Sequence, residues 1–137
     1  MPHITIDYSS QLDGAFDRET LVKELHTTVI ADSGSTGVCK TFLRPAQTYV
    51  GDRPPGESLF AHAEVGLLPG RSEALKARLA ETVLAILGRH LPSAEHVIRS
   101  VEVRDLADSY RLSPPPARPG ACTEAADAGL LRSGHGE

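Results

Sequence analysis

The feature that most constrains the fold of this chain is a strand, helix, strand pattern that occurs twice. In the first unit, residues 3 to 8 alternate between apolar and polar side chains, which is the period of a half-buried strand. An apolar stripe of helical period then runs from Asp17, a predicted N-cap, to Gly34, a predicted stop. Alternation returns over residues 38 to 44 until Pro45 interrupts it.

The second unit repeats this order after a turn-rich loop over residues 51 to 56. Residues 58 to 68 predict a strand, and a helix follows with Ser72 as its cap and Pro92 as its stop. Residues 97 to 104 predict the last strand. The sequence therefore predicts an α+β fold, in which duplicated βαβ units form one four-stranded mixed sheet backed by two helices.

The remainder of the chain differs in composition. Residues 113 to 137 begin with a proline-rich run and continue with small and charged residues, so they bury too little apolar surface to offset the entropy of ordering. We predict a domain over residues 2 to 112 and a disordered tail over residues 113 to 137.

Composition and charge exclude several classes of function. The net charge is −4 and bases are interspersed with acids, so the chain offers no basic stripe for a nucleic acid. It has no apolar run of the roughly 20 residues that a membrane span needs and no signal-peptide pattern, so we expect no membrane association and a cytoplasmic protein. Cys39 and Cys122 are expected to be free thiols, and the six scattered histidines predict no metal site.

A sheet covered by helices on one face leaves its other face exposed. The apolar content of the predicted strands is high for a surface in contact with water. The sequence therefore predicts a closed homo-oligomer.

Three short segments carry a resemblance to a known family. The opening Met-Pro-His-Ile-Thr-Ile, the Phe60-Ala-His62 segment and the Gly70-Arg71-Ser72 turn together resemble 5-carboxymethyl-2-hydroxymuconate isomerase, a member of the tautomerase superfamily. The resemblance spans about residues 2 to 105. It implies a homotrimeric isomerase that takes part in the catabolism of aromatic compounds. Such an enzyme moves a proton within a small unsaturated 2-hydroxy or 2-oxo acid and needs no cofactor.

Pro2 is the catalytic residue that this resemblance implies, with the amine exposed once Met1 is removed. A secondary amine is disfavoured in its protonated form by burial or by neighbouring positive charge, and either effect lowers its pKa toward neutrality. A base with a pKa near the operating pH transfers protons efficiently. We therefore expect Pro2 to act as a general base.

The resemblance also implies which side chains bind the substrate carboxylate. Arg71 matches the substrate-binding arginine of the family in its Gly-Arg-Ser turn, where a guanidinium can hold a carboxylate through two hydrogen bonds. The family has a second arginine early in the second strand, whereas this chain has Lys40 there, or Cys39 if the register shifts by one. Arg44 lies on the same predicted strand face as Lys40 and is a further candidate. His62 also matches the family, but we expect it to be a packing or interface residue.

Two alternatives remain open at this stage. The chain could be a catalytically weak homologue that keeps the scaffold for binding, which retention of Met1 would favour. It could instead hydrate or dehalogenate a small unsaturated acid, with Pro2 acting as an acid or activating water.

Overall fold

The structure is a computed structural model, and it describes residues 1–92 and 97–114. The elements, in chain order, are β1 (His3–Ser9), a short 3-10 turn (Ser10–Leu12), α1 (Arg18–Ser33), β2 (Lys40–Ala46), β3 (Leu59–Leu67), α2 (Glu73–His90) and β4 (Val97–Asp105). Their order confirms two βαβ units. The predicted tail lies almost wholly outside the described residues, so its disorder stays a prediction.

The four strands form one mixed sheet in the order β2, β1, β3, β4. β1 is parallel to β2, β3 is parallel to β4, and the two pairs meet antiparallel between β1 and β3. Each helix is thus the crossover of one parallel pair. This arrangement places the start of β1 beside the start of β2 and the end of β3.

The helix boundaries follow from local side-chain chemistry. The Asp17 carboxylate accepts a hydrogen bond from the Thr20 N–H at the start of α1, and the Ser72 hydroxyl accepts one from Leu75 N–H at the start of α2. Gly34 ends α1 in the left-handed conformation, with φ at 69°. All three end residues were predicted from the sequence.

The second strand extends further than the sequence indicated. Alternation predicted an end before Pro45, yet β2 runs to Ala46, and Pro45 pairs in register with Tyr8. The physical reason is that β2 is an edge strand. Proline has no backbone N–H to donate, and at the edge of a sheet this missing donor can face away from the neighbouring strand.

The apolar core lies between the sheet and the helices. It consists of the alternate strand residues that face the helices and the apolar stripe of each helix, namely Ile4, Ile6, Tyr8, Leu21, Leu25, Val29, Ala61, Ala63, Val65, Leu67, Leu79, Val83, Ile86 and Leu87. Among the described residues, no helix is long and apolar enough to cross a membrane.

The other face of the sheet, which we term the helix-free face, is mostly polar. It carries His3, Thr5, Asp7, Lys40, Phe42, Arg44, Phe60, His62, Glu64, Ile98, Ser100, Glu102 and Arg104. The high apolar content of the strands therefore belongs to the buried side. The homo-oligomer stays a prediction, because the helix-free face also carries the apolar side chains Phe42, Phe60 and Ile98.

Candidate active site

A cavity of about 120 Å³ opens where the starts of β1 and β2 meet the end of β3. Three segments that are distant in sequence line it: the N-terminus, the loop after α1 and the loop after β3. The lining residues are Met1, Pro2, Gly34, Ser35, Thr36, Leu68 and Arg71. We call this space the Pro2 cavity.

Pro2 is buried and held by the sheet. Its carbonyl oxygen accepts a hydrogen bond of 3.0 Å from the Lys40 N–H, which continues the β1 and β2 ladder to the end of the chain. In the full-length chain the Pro2 nitrogen belongs to the peptide bond with Met1. Removal of Met1 would place a secondary amine at the wall of the cavity.

Arg71 also lines the cavity and is fixed there by three acceptors. Its Nε donates to the Ser33 carbonyl oxygen at 2.9 Å, Nη1 donates to the Leu68 carbonyl oxygen at 3.1 Å, and Nη2 donates to the Ser35 hydroxyl at 3.2 Å. Arg71 thereby ties the C-terminal end of α1 to the loop that follows β3. These contacts hold the guanidinium in a fixed position at the cavity.

A family model for 5-carboxymethyl-2-hydroxymuconate isomerase matches residues 2–113, which is most of the chain. This chain belongs to the 5-carboxymethyl-2-hydroxymuconate isomerase family. The assignment confirms the resemblance that the N-terminal segment and the Arg71 turn indicated. No curated protein matches the sequence.

Solved structures carry the same fold. A 5-carboxymethyl-2-hydroxymuconate isomerase from Deinococcus radiodurans R1 is 19% identical, with a TM-score of 0.68 over 82% of this chain and 87% of that one. A 5-carboxymethyl-2-hydroxymuconate delta-isomerase is 24% identical, with a TM-score of 0.63 over 84% and 89%. A fused 4-OT, described as a symmetric trimer, is 17% identical, with a TM-score of 0.65 over 88% and 98%. The fold is that of the tautomerase superfamily, and family and fold together support an isomerase or tautomerase.

Lys40 and Arg44 do not line the Pro2 cavity of this family member. Both lie on one strand face, as the alternation predicted; this is the helix-free face, and Lys40 is the register partner of His3. Arg44 forms two hydrogen bonds with the Asp7 carboxylate, at 2.8 and 3.0 Å, and this contact lowers the pKa of Asp7. Within one chain, Pro2 and Arg71 line the same cavity, whereas Lys40 contacts Pro2 through its backbone N–H and neither Lys40 nor Arg44 lines the cavity.

His62 also lies on the helix-free face, where its Nδ1 is 2.7 Å from the Ser100 hydroxyl. Its expected role in packing or at an interface stays a prediction. His3 contacts the segment after β4, because its Nε2 lies 3.1 Å from the Tyr110 hydroxyl and the two rings meet edge to face. Burial, Lys40 and the N-terminal amine lower the pKa of His3.

Cys39 precedes β2 and is half-buried. Burial raises the pKa of its thiol to about 11, so the reactive thiolate form is scarce at neutral pH. It is a free cysteine, as expected. Within residues 1–92 and 97–114, no group of three or more histidine, cysteine or acidic side chains could hold a metal ion.

Ser35 and Thr36 are the polar cavity residues that sequence reasoning missed. They lie between Gly34 and Gly37, both with positive φ, in the loop that joins α1 to β2. The sequence does show a short polar loop after the first helix. The loop lies close to Pro2 because β1 pairs in parallel with β2. Local sequence patterns do not reveal this pairing, so they could not assign Ser35 and Thr36 to the cavity.

Proposed function

We propose that this protein is an isomerase that moves a proton within a small unsaturated 2-hydroxy or 2-oxo acid, with Pro2 as the general base. A dienol of the 5-carboxymethyl-2-hydroxymuconate type is the first substrate to test. The single observation that carries the proposal is that Pro2 and Arg71, distant in sequence, line the same cavity.

The proposed reaction conserves atoms and electrons within the substrate. The neutral Pro2 nitrogen removes the proton of the 2-hydroxyl group, and the electron pair shifts through the diene as the C2 oxygen becomes a carbonyl. The protonated amine then returns the proton to a carbon at the far end of the conjugated system. The step needs no cofactor, since nothing is oxidised or reduced.

Two features of the cavity support Pro2 as a base. Pro2 is buried, and the Arg71 guanidinium lies in the same cavity, so desolvation and positive charge both disfavour a protonated amine. Arg71 supplies the charge that binds the substrate carboxylate and stabilises the dienolate. The neutral Pro2 amine can accept the proton at pH 7, and the Arg71 guanidinium can hold the substrate carboxylate beside it.

We further propose that the protein is a homotrimer, supported by a fold neighbour described as a symmetric trimer. Lys40 and Arg44 lie on the helix-free face and do not line the Pro2 cavity of one chain, and we propose that they contribute to substrate binding in the assembled trimer. Their predicted role in substrate binding is therefore tied to the assembly.

The test begins with the intact mass of the purified protein before and after exposure to 2-oxo-3-pentynoate, an electrophilic 2-oxo acid. We expect loss of Met1 and one adduct, mapped to Pro2. The double variant Cys39→Ser, Cys122→Ser is the matched control for thiol labelling and should still acquire the adduct. Retention of Met1 would overturn the proposal and favour the binding scaffold, because the Pro2 nitrogen would remain an amide.

Kinetics of Pro2→Ala complete the test. We expect kcat for dienol isomerisation to fall by about 100-fold, the usual contribution of a positioned general base, while the oligomer persists. Pro54→Ala, in the exposed loop before β3, is the control and should retain wild-type kinetics. The alternative reactions are tested with the same variant. If the wild type hydrates or dehalogenates an unsaturated acid and Pro2→Ala does so at the same rate, Pro2 is not the catalytic residue of that reaction.

A further inference from the structure

The segment after β4, residues 106–112, lies against the helix-free face at the start of β1, and we term it the strap. We propose that Tyr110 of the strap is a positioning residue for Pro2, because it holds the side chain of His3, the residue bonded to Pro2. This inference rests on the proposed function and adds to it an element that acts on the base through its neighbour. Each contact in the argument joins residues from Pro2 onward, so each is available to the chain once Met1 is removed.

The first step is the freedom of an N-terminal residue. Terminal residues are poorly ordered unless other contacts tie them down. The pyrrolidine ring fixes the nitrogen relative to the rest of Pro2, so the direction of the amine depends on rotation about the Cα–C bond and on the placement of His3. A general base must lie within hydrogen-bonding reach of the proton that it removes. The placement of His3 therefore decides where the Pro2 amine points.

The second step is the backbone contact that holds Pro2. The Lys40 N–H donates to the Pro2 carbonyl oxygen at 3.0 Å, which ties the carbonyl end of Pro2 to β2. Since β2 is an edge strand, this bond joins the end of one strand to the rim of the sheet. Hydrogen bonds at such ends open most readily. A further contact at the next residue would hold the terminus in place.

The third step is the attachment of the strap to the sheet beside His3. The Leu106 N–H donates to the Leu67 carbonyl oxygen at 2.7 Å, which continues the pairing of β3 with β4. The Leu106 side chain covers Gly66, where an added Cβ would lie 2.7 Å from Leu106 Cδ2. Gly66 is the register partner of His3. The missing side chain of Gly66 therefore leaves room for the strap next to His3.

The fourth step is the contact between Tyr110 and His3. The Tyr110 N–H donates to the Ala107 carbonyl oxygen at 2.9 Å and closes a turn in the strap. The Tyr110 hydroxyl lies 3.1 Å from His3 Nε2, and the two ring centroids are 5.1 Å apart in an edge-to-face arrangement. Burial, Lys40 and the N-terminal amine lower the pKa of His3, so its imidazole is neutral at pH 7 and has one donor and one acceptor. The strap thus holds the His3 side chain, while β2 and β3 hold its backbone.

The first test is Tyr110→Phe in the full-length chain, which keeps the edge-to-face contact and removes the hydroxyl. We expect kcat for isomerisation of 5-carboxymethyl-2-hydroxymuconate to fall by about 3- to 10-fold, the range of one lost hydrogen bond. KM should stay the same, since Tyr110 acts on the base and not on the substrate. Tyr49→Phe is the matched control, because Tyr49 is 56% exposed in the loop after β2. Wild-type kcat in Tyr110→Phe, or an equal fall in Tyr49→Phe, would overturn the inference.

Variants of His3 separate positioning from packing. His3→Gln can still meet the Tyr110 hydroxyl with its amide and should keep kcat close to that of the wild type, whereas His3→Leu should resemble Tyr110→Phe. If both side chains act through their shared hydrogen bond, the double variant His3→Leu, Tyr110→Phe should lose no more activity than either single variant. Additive losses, or equal losses in His3→Gln and His3→Leu, would assign the two residues to packing and contradict a positioning role.

Hydrogen exchange of the Lys40 amide separates this inference from the proposed function. That amide donates to the Pro2 carbonyl oxygen, so its exchange reports release of the N-terminal residue whether or not a dienol is converted. We expect exchange about 3- to 10-fold faster in Tyr110→Phe than in the wild type or Tyr49→Phe. If exchange accelerates in this way but the wild type converts no dienol, the hold on the terminus is upheld and the proposed function fails. If the wild type converts the dienol and Lys40 exchange is unchanged in Tyr110→Phe, the positioning role is wrong and the proposed function stands.

Discussion

Replacement of Arg71 by lysine tests whether this side chain holds the cavity together as well as binding a ligand. Arg71 donates to Ser33, Leu68 and Ser35, which belong to two separate segments. A lysine keeps the charge but has one nitrogen, so it cannot reach all three acceptors from a single position. A hydrogen bond from a charged donor contributes about 1.5 to 3 kcal/mol, and partial exposure reduces that value.

With two of the three bonds lost, we expect Arg71→Lys to lower the free energy of unfolding by about 1 to 3 kcal/mol. For a domain of this size, that corresponds to a fall in Tm of about 4 to 12 °C, measured by circular dichroism. The apparent KM should also rise, because a lysine binds a carboxylate without the planar fork. Arg53→Lys is the control, since Arg53 donates to the exposed Ser58 hydroxyl in a loop. An Arg71→Lys Tm equal to that of the control would refute the structural part of the reasoning.

Two further changes test local features of the helices. Gly34→Ala should cost about 1 kcal/mol in urea unfolding, because Gly34 has φ of 69° while no atom lies within 4 Å of an added Cβ; a gain in stability would contradict this. Glu24→Gln tests the link between the helices, where the hydrogen bond from His90 and the charge of Arg89 lower the pKa of Glu24 below its ordinary value of 4.5. The carboxylate therefore stabilises the fold above about pH 4.5, and this contribution disappears as the pH falls through the lowered pKa. Wild type and Glu24→Gln should differ in Tm at pH 7 and converge once the pH falls below the lowered pKa of Glu24, whereas a constant difference would show that Glu24 acts through packing.

The elements of this fold are predictable from the sequence because their determinants are local. Asp17 and Ser72 cap helices through hydrogen bonds within the same turn, and Gly34 ends a helix through its own backbone freedom. Pro45 shows the limit of this reasoning. Its inclusion in β2 depends on β2 being at the edge of the sheet, which is a property of the whole strand order.

The candidate site divides in the same way. Pro2 and Arg71 could be proposed because each lies in a short segment that resembles the family. Their proximity to Ser35 and Thr36 could not, since it arises only when β1 pairs with β2 on one side and with β3 on the other. Alternation correctly placed Lys40 and Arg44 on one face of their strand, but it carried no information on the position of the cavity relative to that face.

The helix-free face bears on how subunits would associate. Charged side chains on neighbouring strands already pair across it: Asp7 with Arg44 at 2.8 Å, and Glu64 with Arg104 at 3.1 Å. These pairs are partly exposed, so packing a second subunit against them would remove hydration that their mutual attraction only partly replaces. Charge pairs favour correct register between surfaces more than they add affinity. If this face is an interface, the free energy that drives assembly must therefore come mainly from its apolar members Phe42, Phe60 and Ile98, of which Phe42 and Ile98 are 47% and 52% exposed in the single chain.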